Sequence, residues 1–103
     1  MAEQPDMQFF LRADALIHLA NQQLQEAPRE KVCASTMFAA ARFNIWTHAC
    51  YSEGAAHLAS HRTEAIAYFA EQYRLMLEQH MDDYIQNFDT YYECHYIQSW
   101  RTP

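Results

Sequence analysis

Apolar residues return at steps of three and four along this chain, and the pattern divides it into helical segments. In the first segment Phe9, Phe10, Ala13, Leu16, Ile17, Ala20 and Leu24 form the stripe, while Arg12, Asp14, Asn21, Gln22 and Gln25 fall mainly outside it. That spacing predicts an amphipathic helix over about residues 6–25, with the Asp6 carboxylate accepting from an early unpaired amide as N-cap. His18 lies close to the apolar face and reads as a half-buried helix histidine.

The next stretch is of another kind. Ser35 to Tyr51, STMFAAARFNIWTHACY, carries a single charge, Arg42, and no Gly or Pro. Val32, Thr36, Ala39, Phe43 and Trp46 share one helical stripe, and Phe38, Ala41, Ile45 and Ala49 share another. A helix apolar on every side is normally buried among other helices. The expectation is a central rod, wrapped on most sides by its two flanking segments. Ala39, Ala40 and Ala41 would let those neighbours come close, because a methyl group holds axes nearer than a larger side chain does. Pro28 suits the first turn of this second helix, and Gly54, the only glycine, suits a left-handed residue closing it.

A weaker segment, AAHLASHRTE, follows as a helical turn or the beginning of a third helix, with Ser60 or Thr63 as candidate N-cap. Beyond it Ile66, Phe69, Tyr73, Met76, Leu77, His80, Tyr84, Ile85 and Phe88 keep helical steps without a breaker. A straight helix from Arg62 to Tyr91 would be about 45 Å long, whereas a compact chain of this size has a radius of gyration of ~13 Å. Compactness therefore predicts a bend or break near residues 79–83, where Asp82 and Asp83 suit a fresh helix start. The alternative is an overhang covered by a second copy of the chain. The fold class is all-α, a small bundle of three main helices. One domain spans residues 1–103, with its core at about 6–92 and a tail at 93–103.

Composition supports this and narrows the function. One glycine and three prolines leave too few turn residues for a meander of strands. A net charge of −6 argues against nucleic acid and against an anionic membrane surface, both of which recruit basic patches. The longest apolar window includes Arg42, Asn44 and His48, short of a bilayer span. The first residues lack the basic and apolar regions of a secretory signal, so a cytoplasmic location is expected. Three cysteines, Cys33, Cys50 and Cys94, lack metal-ligand spacing and read as reduced thiols. Cys33 and Cys50, in or beside the rod, read as small buried hydrophobes.

Candidate chemistry is sparse. His57 and His61 are one helical turn apart, with Glu64 a turn further, which makes the weak candidate for a metal. A polar exposed face explains the same residues, and no metal or other cofactor is favoured. No Glu-x-x-His step of a di-iron bundle occurs. Cys94 and His95 are adjacent and diverge on a helix, so they make a poor nucleophile–base pair. Arg42 and Asn44 are the polar residues whose burial would oblige them to find partners, giving a buried polar tie with an acid such as Asp14 or Asp83.

Three runs carry a resemblance: Ala39-Ala40-Ala41-Arg42-Phe43-Asn44, Phe69-x-x-x-Tyr73-x-x-Met76-Leu77, and Asp82-Asp83-Tyr84-Ile85-x-Asn87-Phe88. With Leu19-Ala20-Asn21, they make about residues 8–92 similar to DUF3144, a small bacterial family of helical proteins without known function. The chain departs from that pattern at Trp46-Thr47-His48 and after Tyr92. The resemblance implies a helical fold and bacterial origin, and no activity or site residues.

The residues therefore point to a non-enzymatic helical protein working through helix–helix contact, as a homo-oligomer or an adaptor for another protein. Large apolar and aromatic side chains exceed what three short helices cover, and Tyr68, Tyr91, Tyr92, Tyr96 and Trp100 are the interface candidates. A metal- or small-ligand-binding bundle is the rival.

Overall fold

A computed structural model describes residues 6–91 and Ile97. The described residues are helical and turn, without strand. Four helices follow in order: α1 (Met7–Gln23), α2 (Arg29–Ala49), α3 (Ala55–Ser60) and α4 (Arg62–Gln86). The all-α class stands, and the weaker segment, expected as a helical turn or the beginning of the third helix, forms a short helix of its own.

Local chemistry sets the ends. Asp6 caps α1, accepting the Phe9 amide at 2.6 Å. α1 gives way to a turn over Leu24–Glu26, and Pro28, extended at φ −64° and ψ 156°, becomes the N-cap of α2. Its carbonyl accepts from Lys31 and Val32, both at 3.1 Å. The tight connection makes α1 and α2 antiparallel neighbours. They meet around Val32, which with Ala65 is one of two buried apolar residues in the described chain.

Gly54 is placed otherwise than expected. It stands at the N-cap of α3, with φ 157° and ψ 178°, and does not close α2 in the left-handed conformation. That corner of backbone space is essentially reserved for glycine. Between α3 and α4 the chain kinks at His61, with φ −108° and ψ 10°. Neither Ser60 nor Thr63 caps α4; the Ser60 hydroxyl donates back to the His57 carbonyl at 2.7 Å.

The break expected near residues 79–83 is absent. α4 runs unbroken through them for 25 residues, about 37 Å. It stops at Asn87, whose amide donates to the Asp83 carbonyl at 2.9 Å while its side chain donates to the Asp83 carboxylate at 2.8 Å. The break followed from assuming a compact chain, and the chain is not compact. Its radius of gyration is 16.0 Å, with extents of 49 × 30 × 23 Å.

The same fact overturns the wrapped rod. α2 buries only Val32, and Phe38, Phe43 and Trp46 stay 74%, 62% and 58% exposed. α1 packs against part of its surface, and most of the rest is left in water. Cys33 and Cys50 are accordingly free and exposed, where buried thiols were expected. His18 is exposed as well. Replacing Gly54 with alanine should cost about 1–3 kcal/mol, since alanine has no comfortable place at that φ and ψ. Chemical denaturation at one fixed protein concentration checks this, and an unchanged midpoint would contradict it.

Candidate functional site

Two apolar clefts flank the α1–α2 hairpin. One, of about 780 Å³, opens between α1 and α2 and is lined by Leu16, Leu19, Ala39, Ala40 and Phe43. The other, of about 480 Å³, lies where α4 approaches and is lined by Ile17, Val32, Cys33, Tyr73, Tyr84 and Ile97. Both have the character of surfaces that receive other apolar side chains, because few polar groups converge in them. Neither offers a nucleophile with a base and an orienting partner.

The second cleft has a polar clasp at its rim. The Asn21 side chain, on the last turn of α1, donates from Nδ2 to the Ile97 carbonyl at 2.9 Å. Its Oδ1 accepts the Ile97 amide at 2.7 Å. One carboxamide thus satisfies both backbone groups of a residue 76 positions away, as a neighbouring strand would. Sequence reasoning left Asn21 among the residues outside the stripe. Its only local signal is a poor helix former at a helix end.

The histidine pair is engaged locally. His57 Nδ1 accepts the Glu53 backbone amide at 3.1 Å, which leaves the proton of the neutral ring on Nε2. His61 Nδ1 lies 3.1 Å from the His57 carbonyl oxygen, and the two rings meet edge to face with centroids 4.8 Å apart. Metal binding through His57 Nε2 would move the proton to Nδ1, opposite the Glu53 donor. Glu64 sits in the first turn of α4, where its charge suits the helix dipole. Among the described residues, no group of three or more His, Cys, Asp or Glu side chains converges as a metal would require.

Arg42 and Asn44 are exposed, so neither is a buried polar tie in the single chain. Arg74, on α4, has a doubly acidic setting instead. It bonds Glu71 at 2.7 Å and also Glu78, all three on one exposed face. The hydrogen bond to Arg74 holds the Glu71 carboxyl below its ordinary range. Solvent screens such a triad, so it is a solvated face and not a site.

Of the interface candidates, Tyr68 rests edge-on against Phe69, centroids 5.3 Å apart. Tyr91 packs on Tyr84 at 4.7 Å. Both are half-buried. Tyr92, Tyr96 and Trp100, like Cys94, lie outside the described residues. Burial raises the Tyr84 phenol above its ordinary value, and the Asp83 charge adds to this. Tyr91 is raised by burial first, then by its hydrogen bond to Asp83 and that carboxylate's charge.

With this geometry in hand, the relatives can be placed. The family model described as "Protein of unknown function (DUF3144)" matches residues 9–85, and the chain belongs to that family. No curated protein matches it. A solved structure, the NMR structure of the protein NB7890A from Shewanella sp, is 38% identical, with a TM-score of 0.70. The match covers 86% of this chain and 95% of that one. A bacterial origin is consistent with that neighbour.

Two predictions follow from the polar contacts. Asn21→Ala removes both bonds to Ile97, so the Ile97 amide should exchange with solvent roughly tenfold faster or more. Hydrogen exchange followed by NMR checks this, and an unchanged rate would refute the clasp. The tyrosine pair makes the other. A raised folded pKa gives stability that is full below the ordinary value of 10.0 and lost as pH rises through the raised one. Tyr84→Phe and Tyr91→Phe should each lessen the alkaline fall in stability, measured by denaturation across that range. Equal falls in parent and variants would count against the assignment.

Proposed function

We propose that this protein acts by self-association through helix–helix contact, with no chemistry of its own. One observation carries the reading: α2 has apolar side chains on all sides, and the single chain leaves Phe38, Phe43 and Trp46 more than half exposed. Phe43 and Trp46 lie ring against ring, centroids 5.6 Å apart, and monomeric proteins seldom present large contiguous apolar surface. The accessible area agrees. The chain exposes 8895 Å², roughly 2,800 Å² more than a compact monomer of its mass. Obligate homodimers bury about 2,000–5,000 Å² summed over both copies, so about 1,000–2,500 Å² from each chain would suffice.

The family description assigns no activity, and the clefts hold apolar side chains in preference to converging polar ones. A second copy is the simplest cover for α2, because an interface formed by one chain with itself needs no other gene product to be present. An adaptor role toward a different protein would use whatever surface the copies leave open. Among the described residues, no helix is long and apolar enough to cross a membrane. A cytoplasmic place of action fits the free thiols at Cys33 and Cys50, which a reducing compartment preserves.

Light scattering after size exclusion should give a mass of two or more chains at micromolar concentration. Folding coupled to assembly also makes the melting temperature rise with protein concentration. A strict monomer whose melting temperature is independent of concentration would overturn the reading.

A further inference from the structure

Resting on that reading, we infer that the primary contact between copies is an antiparallel α2–α2 seam. It is built from Ala34, Phe38, Ala41 and Ile45 across a two-fold axis. These residues advance by four, three and four, the step pattern of a coiled-coil seam. At 100° per residue they fall within an arc of about 60°. The residues that α2 turns toward α1, among them Val32, Thr36 and Phe43, centre roughly 170° away on the same helix. The side toward α4 holds Cys33 and Met37. Thr36, Ala39 and Phe43 on the α1 side stay exposed in the single chain, and the seam is set apart as the flank that lines neither cleft. All four of its residues are exposed, Phe38 at 74% and Ile45 at 42%.

Side-chain size selects the direction. Pairing two copies antiparallel about the midpoint between Ala39 and Ala40 sets Phe38 against Ala41 of the second copy, and Ala34 against its Ile45. Every layer then joins a large side chain to a small one, which fills the space evenly. A parallel pairing in register would place Phe38 on Phe38 and Ala41 on Ala41, a crowded layer beside a void. Antiparallel axes also set opposite dipole ends together. Lys31 and His48 would bound the seam at its two ends, each facing the other across the axis. Two copies of α2 bring like net charges of modest size together, a repulsion that salt screens, so association should strengthen with ionic strength. The acidic excess of the helices lies on α4, with Glu64, Glu71, Glu78, Asp82 and Asp83 against Arg62 and Arg74. α2 carries Arg29, Lys31 and Arg42 against Glu30 alone.

The native cysteines test the geometry without touching the seam. Spin labels go on Cys33 in one variant and Cys50 in another, with the remaining cysteines changed to serine. In the antiparallel seam, symmetry-related positions are offset along the axis by ~20 Å at Cys33 and ~31 Å at Cys50. Pulsed electron resonance should show the Cys50 pair roughly 10 Å further apart than the Cys33 pair. Substitutions give the second readout. Phe38→Glu should raise the dissociation constant about thirtyfold or more, with helical circular dichroism confirming that the chain still folds. Ala41→Phe alone sets Phe against Phe and should weaken association, while Phe38→Ala with Ala41→Phe restores large against small and recovers much of it. An oligomer whose two label spacings are equal, or whose mass is indifferent to Phe38→Glu, overturns the seam and leaves self-association standing. A monomeric parent overturns both.

Discussion

A helix without a polar side has to be covered on every side, and most features of this molecule follow from a single chain being unable to do so for α2. Antiparallel packing of α1 brings cover to the region around Val32, the one buried residue of α2. α4 approaches another part, near Cys33 and Met37. What remains is a continuous apolar flank carrying Phe38 and Ile45, both exposed. Transferring such surface from water to a packed contact is favourable by about 25 cal/mol per Å². The conformational entropy of ordering a chain of this length is large, and the two buried residues among those described do little to offset it. The proposed association would therefore add stability to the folded chain.

This constraint bears on why α4 runs unbroken through residues 79–83. In a monomer that closed on itself, a helix of this length would project beyond the body it belongs to, and bending would recover contact. The proposed cover by a second copy would remove what a break at residues 79–83 gains. The local sequence there, EQHMDDY, contains no residue that breaks a helix. The kink falls instead at His61, where the short α3 meets α4. His57 helps to shape that corner, because its carbonyl accepts the Ser60 hydroxyl and lies 3.1 Å from His61 Nδ1. The histidine pair is thus part of a turn, with the Nδ1 atom of each ring set against a backbone group there.

The helices were legible from spacing alone, and so were the Asp6 cap and the Pro28 start, because each depends on residues within one or two turns. Features that depend on the tertiary environment were not. The expected burial of Cys33, Cys50, Arg42 and Asn44 all came from one inference, that an apolar helix lies inside its own chain. Periodicity reports which side chains avoid water, and it is silent on whether the cover is the same chain or another copy. The Asn21 clasp was hidden for a different reason. It joins a helix-end side chain to the backbone of Ile97, 76 residues on, and backbone recognition leaves no mark on the identity of the residue recognised. Gly54 was legible as special and misjudged in kind, since a glycine required for a helix start looks the same in sequence as one required for a helix end.

Sequence can nevertheless encode direction once the face is known. Two stripes run along α2, and they differ in how size alternates. The one toward α1 carries Val32, Thr36, Ala39 and Phe43, and it meets the Leu16 and Leu19 side of its own hairpin. The other interleaves Ala34 and Ala41 with Phe38 and Ile45. Reversing that second stripe end to end sets each bulky residue over an alanine, so it complements its own antiparallel image. A surface that fits a copy of itself about a two-fold axis is the defining property of an isologous interface. Packing against an unrelated helix would require only that the stripe be apolar, and its alternation of sizes would then be without purpose.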